Sequence, residues 1–208
     1  KNGTGYEFDE LDMGGGFGIY YFPGDEACNP EDWAEAVMFT VEAQARELGL
    51  KCPRIIVEPG RSIIGPAGIT LYRAGSVKEV TGIRKYLAVD GGMGDNIRPA
   101  LYGSQYSAVI ANRAAEEPVE KVSIAGKCCE SGDMLVWDAE LPPVNPGDII
   151  AVFATGAYNY TMSSNYNRLP RPAMVLVNSG SADLILKRES YEDLIRNDVI
   201  PGRLKKRS

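Results

Sequence analysis

The chain contains no histidine, and only four of its 208 residues are cysteine. Without histidine, neither a Ser-His-Asp triad nor a Cys-His pair can be assembled from its own residues. The cysteines form no CxxC pair, so a zinc site would need thiols at irregular spacing, and we expect no metal site. Cys128 and Cys129 are adjacent and poorly placed to bond each other. We therefore expect these two, together with Cys28 and Cys52, to be reduced thiols.

Positive charge and long apolar runs are also scarce. A net charge of -6 and a pI near 4.9 argue against a nucleic-acid partner, because phosphate neutralisation needs a basic face. The basic cluster Lys205-Lys206-Arg207 is expected to be a solvated tail. No stretch reaches the roughly 18 to 20 apolar residues that span a bilayer, and no charged-then-apolar leader opens the chain. We expect no membrane association and a cytoplasmic location.

The first third of the chain predicts a strand, a helix and a second strand. Leu11–Met13 is short and apolar, and Arg54–Val57 is an apolar strand. Between them, apolar residues at helical spacing predict a helix over Pro30–Leu48, capped by Asn29 or Asp32. This order is typical of a parallel βαβ unit, whose two strand-ending loops meet at the same edge of the sheet.

From about residue 70 the pattern changes to strands separated by turns, with 44% hydrophobic residues in the chain as a whole to form a core. We expect a division into residues 1–70 and a β-rich domain of residues 71–208 that ends in a short helix at Ser190–Val199. The predicted strands are Ile69–Val80, Tyr86–Val89, Lys121–Ala125, Met134–Trp137, Asp148–Phe153 and Ala173–Val177.

Two loops at the strand ends suit a phosphate group. Gly14, Gly15 and Gly16 would expose backbone N–H groups and allow close approach, although glycine runs also form ordinary tight turns. The run lacks the Lys-Ser/Thr of a nucleotide-binding P-loop and the spacing of a GxGxxG motif. Gly60 and Arg61, after the next strand, could add donors and charge.

Three further loops carry chemistry. Arg98 and Tyr102 share a face if that stretch is helical, either as an arginine fork for a carboxylate or as a surface arginine over a ring. Tyr158 could cover a flat ring or serve domain packing. Cys129-Glu130-Ser131-Gly132-Asp133 places a thiol and two carboxylates in a turn between apolar runs, which suits either a site or a structural turn.

Taken in order, these motifs resemble the diaminopimelate decarboxylases, pyridoxal-phosphate enzymes with an alanine-racemase-like barrel and a β-domain. The resemblance runs from Leu11 to about Ala173. It implies an α/β plus all-β fold, in which the C-terminal part of a (β/α)8 barrel precedes a β-sandwich or β-barrel-like domain.

The resemblance also implies residue roles. The cofactor, pyridoxal 5'-phosphate, would be bound by the glycine loop, by the next loop and by a tyrosine: Gly14, Gly15, Gly16, Glu58, Pro59, Gly60, Arg61 and Tyr158. Substrate would be bound by Arg61, Arg98, Tyr102, Glu130 and Tyr158. Cys129 would be the proton donor, and the neighbouring Glu130 and Asp133 would tend to keep its thiol protonated. In the family, Cys129 and Glu130 reach into the partner subunit's site, which implies a homodimer.

The implied reaction is decarboxylation of meso-2,6-diaminopimelate to L-lysine and CO2. Decarboxylases of ornithine, arginine or carboxynorspermidine are alternatives, as is a non-catalytic module for dimerisation and phosphate binding. The family's cofactor-bonding lysine and ring-stacking histidine have no matching motif here, and Lys1 falls where the middle of a barrel should be. We expect either a truncated piece without activity of its own or one half of an enzyme completed by a separate chain.

Overall fold

The computed structural model describes residues 8–27 and 29–205, so Cys28 and the predicted tail residues Lys206 and Arg207 lie outside it. The predicted βαβ unit is confirmed. Strands β1 (Glu10–Asp12) and β2 (Arg54–Ile56) pair in parallel, with helix α1 (Pro30–Glu47) between them.

Helix α1 begins as its sequence predicts. The side chain of Asn29 accepts a hydrogen bond from the N–H of Glu31 at 3.0 Å, and proline occupies the first helical position. Trp33 packs edge-on against Phe17, with ring centroids 4.7 Å apart. The same face of α1 lines an open apolar groove of about 410 Å³ together with Ile55 and Val57 of the β2 segment.

The rest of the described chain is mostly sheet. The short helix α2 (Arg61–Ile64) leads into six strands that hydrogen-bond in the order β5-β8-β3-β4-β6-β7. These strands are β3 (Thr70–Val80), β4 (Arg84–Val89), β5 (Ala108–Ile110), β6 (Glu120–Ala125), β7 (Met134–Leu141) and β8 (Ile149–Val152). Helix α3 (Arg98–Tyr102) lies between β4 and β5.

The six-stranded sheet is close to a barrel. Its neighbouring strands are antiparallel except for β4 and β6, which are parallel. The two edge strands, β5 and β7, also lie in contact, so the sheet curls round on itself. The side chains of Leu87, Ile124 and Ile150 are fully buried inside it.

The last part of the described chain is a hairpin and a short helix. Strands β9 (Met174–Asn178) and β10 (Ser181–Leu186) pair only with each other, and α4 covers Tyr191–Ile195. The helix is shorter than the predicted Ser190–Val199: a capping box between Ser190 and Asp193 fixes its start, and it ends at Ile195 with Arg196 as its C-cap. Within the described residues, no helix has the length and apolar character needed to cross a bilayer.

The loop after β8 is joined to the segment after α2 by close backbone contact. Thr155 N–H donates to Gly68 O and Gly156 N–H donates to Gly65 O, both at 3.0 Å. A Cβ atom on Gly156 would lie 2.0 Å from the carbonyl oxygen of Ile64, so only glycine fits there. This contact places the Tyr158 loop beside the loops that follow β1 and β2.

Candidate active site

The glycine loop and the Glu58–Arg61 loop lie side by side, as the predicted βαβ unit requires. Glu58 N–H donates to Gly14 O at 2.8 Å. A Cβ atom on Gly15 would lie 2.2 Å from the carbonyl oxygen of Glu58, so the two backbones could not approach this closely with any side chain at that position. The result is a cradle built from main chain at the carboxyl ends of two parallel strands.

Tyr158 brings the two predicted arginines together. The guanidinium carbon of Arg61 lies 5.6 Å from the centroid of the Tyr158 ring, and that of Arg98 lies 5.4 Å from it. A Cβ atom on Gly60 would lie 3.0 Å from the Tyr158 hydroxyl. Tyr158 itself has φ near 65°, a left-handed conformation that few tyrosines adopt. The structure thus collects Gly60, Arg61, Arg98 and Tyr158 at one place.

Arg98 opens helix α3 and shares a face with Tyr102, as predicted, with its guanidinium carbon 5.6 Å from the Tyr102 ring centroid. It is only 8% exposed. Its Nε donates to the Tyr106 hydroxyl at 2.9 Å and its Nη2 to Ser104 Oγ at 3.3 Å. In the part of the chain that the structure describes, no carboxylate pairs with it. A buried cation with neutral partners only is costly, and an anionic ligand would offset that cost.

The turn that carries Cys129 is exposed, and the Glu130 carboxylate in it accepts hydrogen bonds from three donors, of which Ser131 Oγ is the longest at 3.4 Å. Oε1 of Glu130 accepts from Gly132 N–H at 3.3 Å, and Oε2 accepts from the Tyr166 hydroxyl at 3.3 Å. These hydrogen bonds, that of Gly132 first, lower the pKa of Glu130. Glu130 is therefore an anion at neutral pH, next to an exposed thiol.

Asp133 is buried and has a structural role, in contrast to the exposed Cys129 of the same turn. It is 3% exposed, and its two oxygens accept from Met93 N–H at 2.6 Å and Cys128 N–H at 2.7 Å. Burial, followed by the charge of Asp133, raises the pKa of the Cys128 thiol to about 11. The second carboxylate of the turn therefore acts on Cys128 and ties the turn to the loop after β4.

The predicted site residues fall into two groups. Among the described residues, no hydrogen bond, ion pair or ring contact joins Cys129 or Glu130 to Arg61, Arg98 or Tyr158. The cradle and the exposed turn are each formed, and the turn lies beside α3, because a Cβ atom on Gly132 would lie 4.0 Å from the Cβ of Ala100.

Sequence reasoning assigned no role to Tyr106, Ser104 or Tyr166. Gly103 ends α3 with φ near 62° and turns the chain back, which brings Ser104 and Tyr106 to the side chain of Arg98. The Gly-Ser-x-Tyr sequence directly after a short helix was the available signal. Tyr166 is 36 residues from Glu130 along the chain, and nothing local in the sequence indicates that contact.

The chain matches a known protein family over most of its length. A family profile described as the C-terminal sheet domain of pyridoxal-dependent decarboxylases matches residues 20–156. The chain belongs to the pyridoxal-dependent decarboxylases. The matched range includes Arg61, Arg98, Tyr102, Cys129 and Glu130, whereas the glycine loop and Tyr158 lie just outside it.

Individual members of the decarboxylase family are also similar to this chain in sequence. The chain is 56% identical to the diaminopimelate decarboxylase of Bacillus subtilis, over 91% of this chain and 43% of the relative. It is 53% identical to that of Halalkalibacterium halodurans, over 94% of this chain and 44% of the relative. The chain thus spans less than half the length of these relatives.

Solved structures show the same likeness. A diaminopimelate decarboxylase from M. jannaschii superposes with a TM-score of 0.86 at 37% identity, covering 97% of this chain and 45% of that one. A lysine/ornithine decarboxylase from Vibrio vulnificus, complexed with cadaverine, has a TM-score of 0.62 at 22% identity and covers 78% of this chain and 42% of that one. The second likeness shows a shared fold only.

Proposed function

We propose that this chain is the C-terminal part of a pyridoxal-phosphate-dependent decarboxylase that converts meso-2,6-diaminopimelate to L-lysine and CO2. The relatives at 56% and 53% identity are both named diaminopimelate decarboxylase, which favours this substrate over ornithine, arginine or carboxynorspermidine. In this proposal the segment up to about residue 70 is the last part of a (β/α)8 barrel, and the near-barrel sheet is the second domain.

The cradle fits the phosphate of the cofactor. Gly15 and Gly16 would present main-chain N–H groups from a loop that has no room for a side chain at its centre, and Gly60 and Arg61 would do so from the adjoining loop. The N–H of Gly14 instead donates to Asp12 Oδ1 at 2.8 Å and so holds the loop in shape. Glu58 and Pro59 connect that loop to β2. When bound, pyridoxal phosphate supplies an electron sink for the electron pair that the departing CO2 leaves behind.

The observation that carries the proposal is the buried guanidinium of Arg98, which has only neutral partners among residues 8–27 and 29–205. A substrate carboxylate would meet a positive charge that has already lost most of its water, where an ion pair is strong. Arg61 and Tyr102 would bind the same substrate from either side, and the Tyr158 ring would separate the arginines and cover the bound ligands.

The exposed turn would serve the site of a second subunit. Cys129 lies at the surface, and its Sγ would donate the proton that replaces the lost carboxyl group. Glu130, an anion held by Gly132 and Tyr166, would bind a substrate ammonium group. The resemblance to the family supports a homodimer with shared sites, and the exposure of the Cys129 thiol is compatible with it.

The remaining part of the barrel would come from a polypeptide that precedes this chain or from a separate chain. It would supply the lysine that bonds the cofactor and would cover the apolar groove formed by α1 and the β2 segment. We also propose a cytoplasmic location, which the exposed free thiols of Cys52 and Cys129 favour.

A chimera tests the function. The matched part of the Bacillus subtilis relative is replaced by this chain, and CO2 release from meso-diaminopimelate and from L-ornithine is measured with added pyridoxal phosphate. We expect turnover of diaminopimelate and little of ornithine. The matched variant Arg98→Gln keeps a long polar side chain without its charge and should lose at least about a hundredfold in kcat/KM, the cost of an unpaired buried charge contact. A folded chimera that favours ornithine, or that is indifferent to Arg98→Gln, would contradict the proposal.

A further inference from the structure

The guanidinium of Arg98 has one hydrogen-bonding edge that is already occupied. An arginine presents a side edge, formed by Nε and Nη2, and a terminal edge, formed by Nη1 and Nη2. Here Nε donates to the Tyr106 hydroxyl at 2.9 Å and Nη2 donates to Ser104 Oγ at 3.3 Å. The side edge is therefore held by two neutral oxygens, and the terminal edge remains for another acceptor.

The faces of the guanidinium are flanked as well. Its central carbon lies 5.6 Å from the Tyr102 ring centroid and 5.4 Å from the Tyr158 ring centroid. The Tyr21 ring centroid lies 6.0 Å away, so three rings surround the group. A guanidinium forms hydrogen bonds only in its own plane, along its edges. An anion can reach Arg98 with two parallel hydrogen bonds only at the terminal edge.

The residue that holds the side edge is itself firmly placed. Tyr106 is 3% exposed, and its ring packs edge-on against Tyr21 with centroids 5.3 Å apart. Burial raises the pKa of Tyr106, so its phenol is neutral. A neutral hydroxyl orients the arginine without cancelling its charge, whereas an aspartate or glutamate at this position would compete with an incoming anion.

We propose that Tyr106 is a positioning residue that locks Arg98 with its terminal edge presented to the carboxylate of the substrate, assisted by Ser104. The assignment deepens the proposed function and rests on it for the identity of the carboxylate. It predicts that loss of the Tyr106 hydroxyl lets the guanidinium rotate while its charge and burial are retained.

The test uses Tyr106→Phe in the chimera described above, which supplies the rest of the barrel, with Tyr72→Phe as its matched control. Both changes remove one hydroxyl from a buried tyrosine and keep the ring. The Tyr72 hydroxyl has no hydrogen-bond partner among the described residues, and Tyr72 makes no ring contact with Arg98. The first readout is hydrogen exchange at Arg98 Nε–H, followed by NMR and assigned as the signal that Arg98→Lys removes.

We expect Tyr106→Phe to accelerate exchange at Arg98 Nε–H about tenfold, because the net free energy of one hydrogen bond changes an equilibrium constant by about that factor. Tyr72→Phe should leave the exchange rate within about twofold of the wild type. The second readout is steady-state kinetics with meso-diaminopimelate. Tyr106→Phe should raise KM about tenfold with kcat nearly unchanged, because it weakens binding of substrate and transition state alike. Ser104→Ala, which removes the longer contact, should raise KM about threefold.

Exchange that is unchanged in Tyr106→Phe, or equally accelerated in Tyr72→Phe, would overturn the positioning role. So would an active Tyr106→Phe enzyme with the KM of the wild type. If Tyr106→Phe does not fold, an unchanged KM in Ser104→Ala overturns the lock. A chimera without further substitutions that shows the expected exchange pattern but does not turn over diaminopimelate would contradict the proposed function and leave the lock on Arg98 standing.

Discussion

The Tyr166 hydroxyl donates a hydrogen bond to Oε2 of Glu130 at 3.3 Å, linking two residues 36 positions apart. Tyr166 belongs to a short irregular turn that precedes the β9–β10 hairpin, whereas Glu130 belongs to the turn between β6 and β7. The turn that carries the proposed proton donor is therefore braced from a distant part of the chain.

Removing that brace should weaken substrate binding. Tyr166→Phe deletes one of the hydrogen bonds that lower the pKa of Glu130, so the pKa should rise toward its ordinary value and the carboxylate should move more freely. We expect KM for meso-diaminopimelate to rise about two- to fivefold, since the contact is solvent-exposed. Tyr191→Phe, which alters an exposed tyrosine in α4, is the control. Equal KM values in the two variants would show that the brace has no role.

Cys52 and Cys128 should differ in their reactivity toward thiol reagents. Partial burial and Asp133 raise the pKa of Cys128 to about 11, so its reactive thiolate is rare at pH 8, whereas Cys52 is exposed. We expect maleimide to label Cys52 roughly a hundredfold faster than Cys128, as resolved by peptide mass spectrometry. Asp133→Asn should reduce the ratio of the Cys52 labelling rate to the Cys128 labelling rate, because it removes a negative charge that disfavours the Cys128 thiolate. Labelling of Cys128 at the rate of Cys52 in the wild type would refute this electrostatic assignment.

Acid should destabilise the fold through Asp148. Arg113 holds the pKa of Asp148 at about 2, with Arg113 Nη2 2.6 Å from Oδ2. The folded pKa lies below the unfolded value, so this stabilisation is present above pH ~4 and is lost as the pH falls toward 2. Asp148→Asn should lower the free energy of unfolding by about 1–3 kcal/mol at pH 7, with a smaller loss at pH 3.

Urea unfolding at several pH values checks this, with Asp183→Asn on the exposed β10 strand as the control. A deficit in Asp148→Asn that is the same at pH 3 as at pH 7 would exclude the ion pair as its cause. The Glu189 carboxylate, whose pKa Arg171 likewise holds at about 2, will contribute to acid sensitivity in the same direction in every variant.

A methyl group at residue 156 should loosen the contact on which the Tyr158 loop depends. The added Cβ would lie 2.0 Å from the Ile64 carbonyl oxygen, and the clash is with backbone that cannot rotate away. We expect Gly156→Ala to lower the free energy of unfolding by about 1–3 kcal/mol. Gly202→Ala, where the added Cβ has no neighbour within 4 Å, is the matched control. Equal melting temperatures for the two variants would mean that this junction adapts at little cost.

Much of the fold could be predicted from local sequence patterns, and the parts that were missed lack such a pattern. Strand β5 has only three residues and β10 follows a turn at Ser179–Gly180, so neither produced a run of alternating apolar residues long enough to predict. Strand β7 continues to Leu141, beyond the predicted end at Trp137, through a residue with positive φ, Asp138. The parallel pairing of β4 with β6 has no local signature at all.

The site divides in the same way. The order of the motifs indicated the glycine loop, Arg61, Arg98, Tyr158 and the Cys129 turn, because each is a short stretch with its own chemistry. Two hydrogen bonds were not predicted: the one from the Cys128 N–H to Asp133 and the one from Arg98 Nε to the Tyr106 hydroxyl. Each depends on how side chains are buried.

The sequence by itself determined the helix between Asn29 and Leu48, the parallel βαβ unit, most strand positions and the types of residue available for chemistry, because caps, periodicity and turn residues act over a few positions. Only the tertiary structure decided which of those residues meet. Arg98 is charged in any conformation, but its burial among tyrosines, without a carboxylate, exists only after β4, α3 and β5 have packed together. Burial and long-range pairing arise from contacts between distant parts of the chain, and those contacts make an ordinary arginine a buried cation, the property on which its proposed role in anion binding rests.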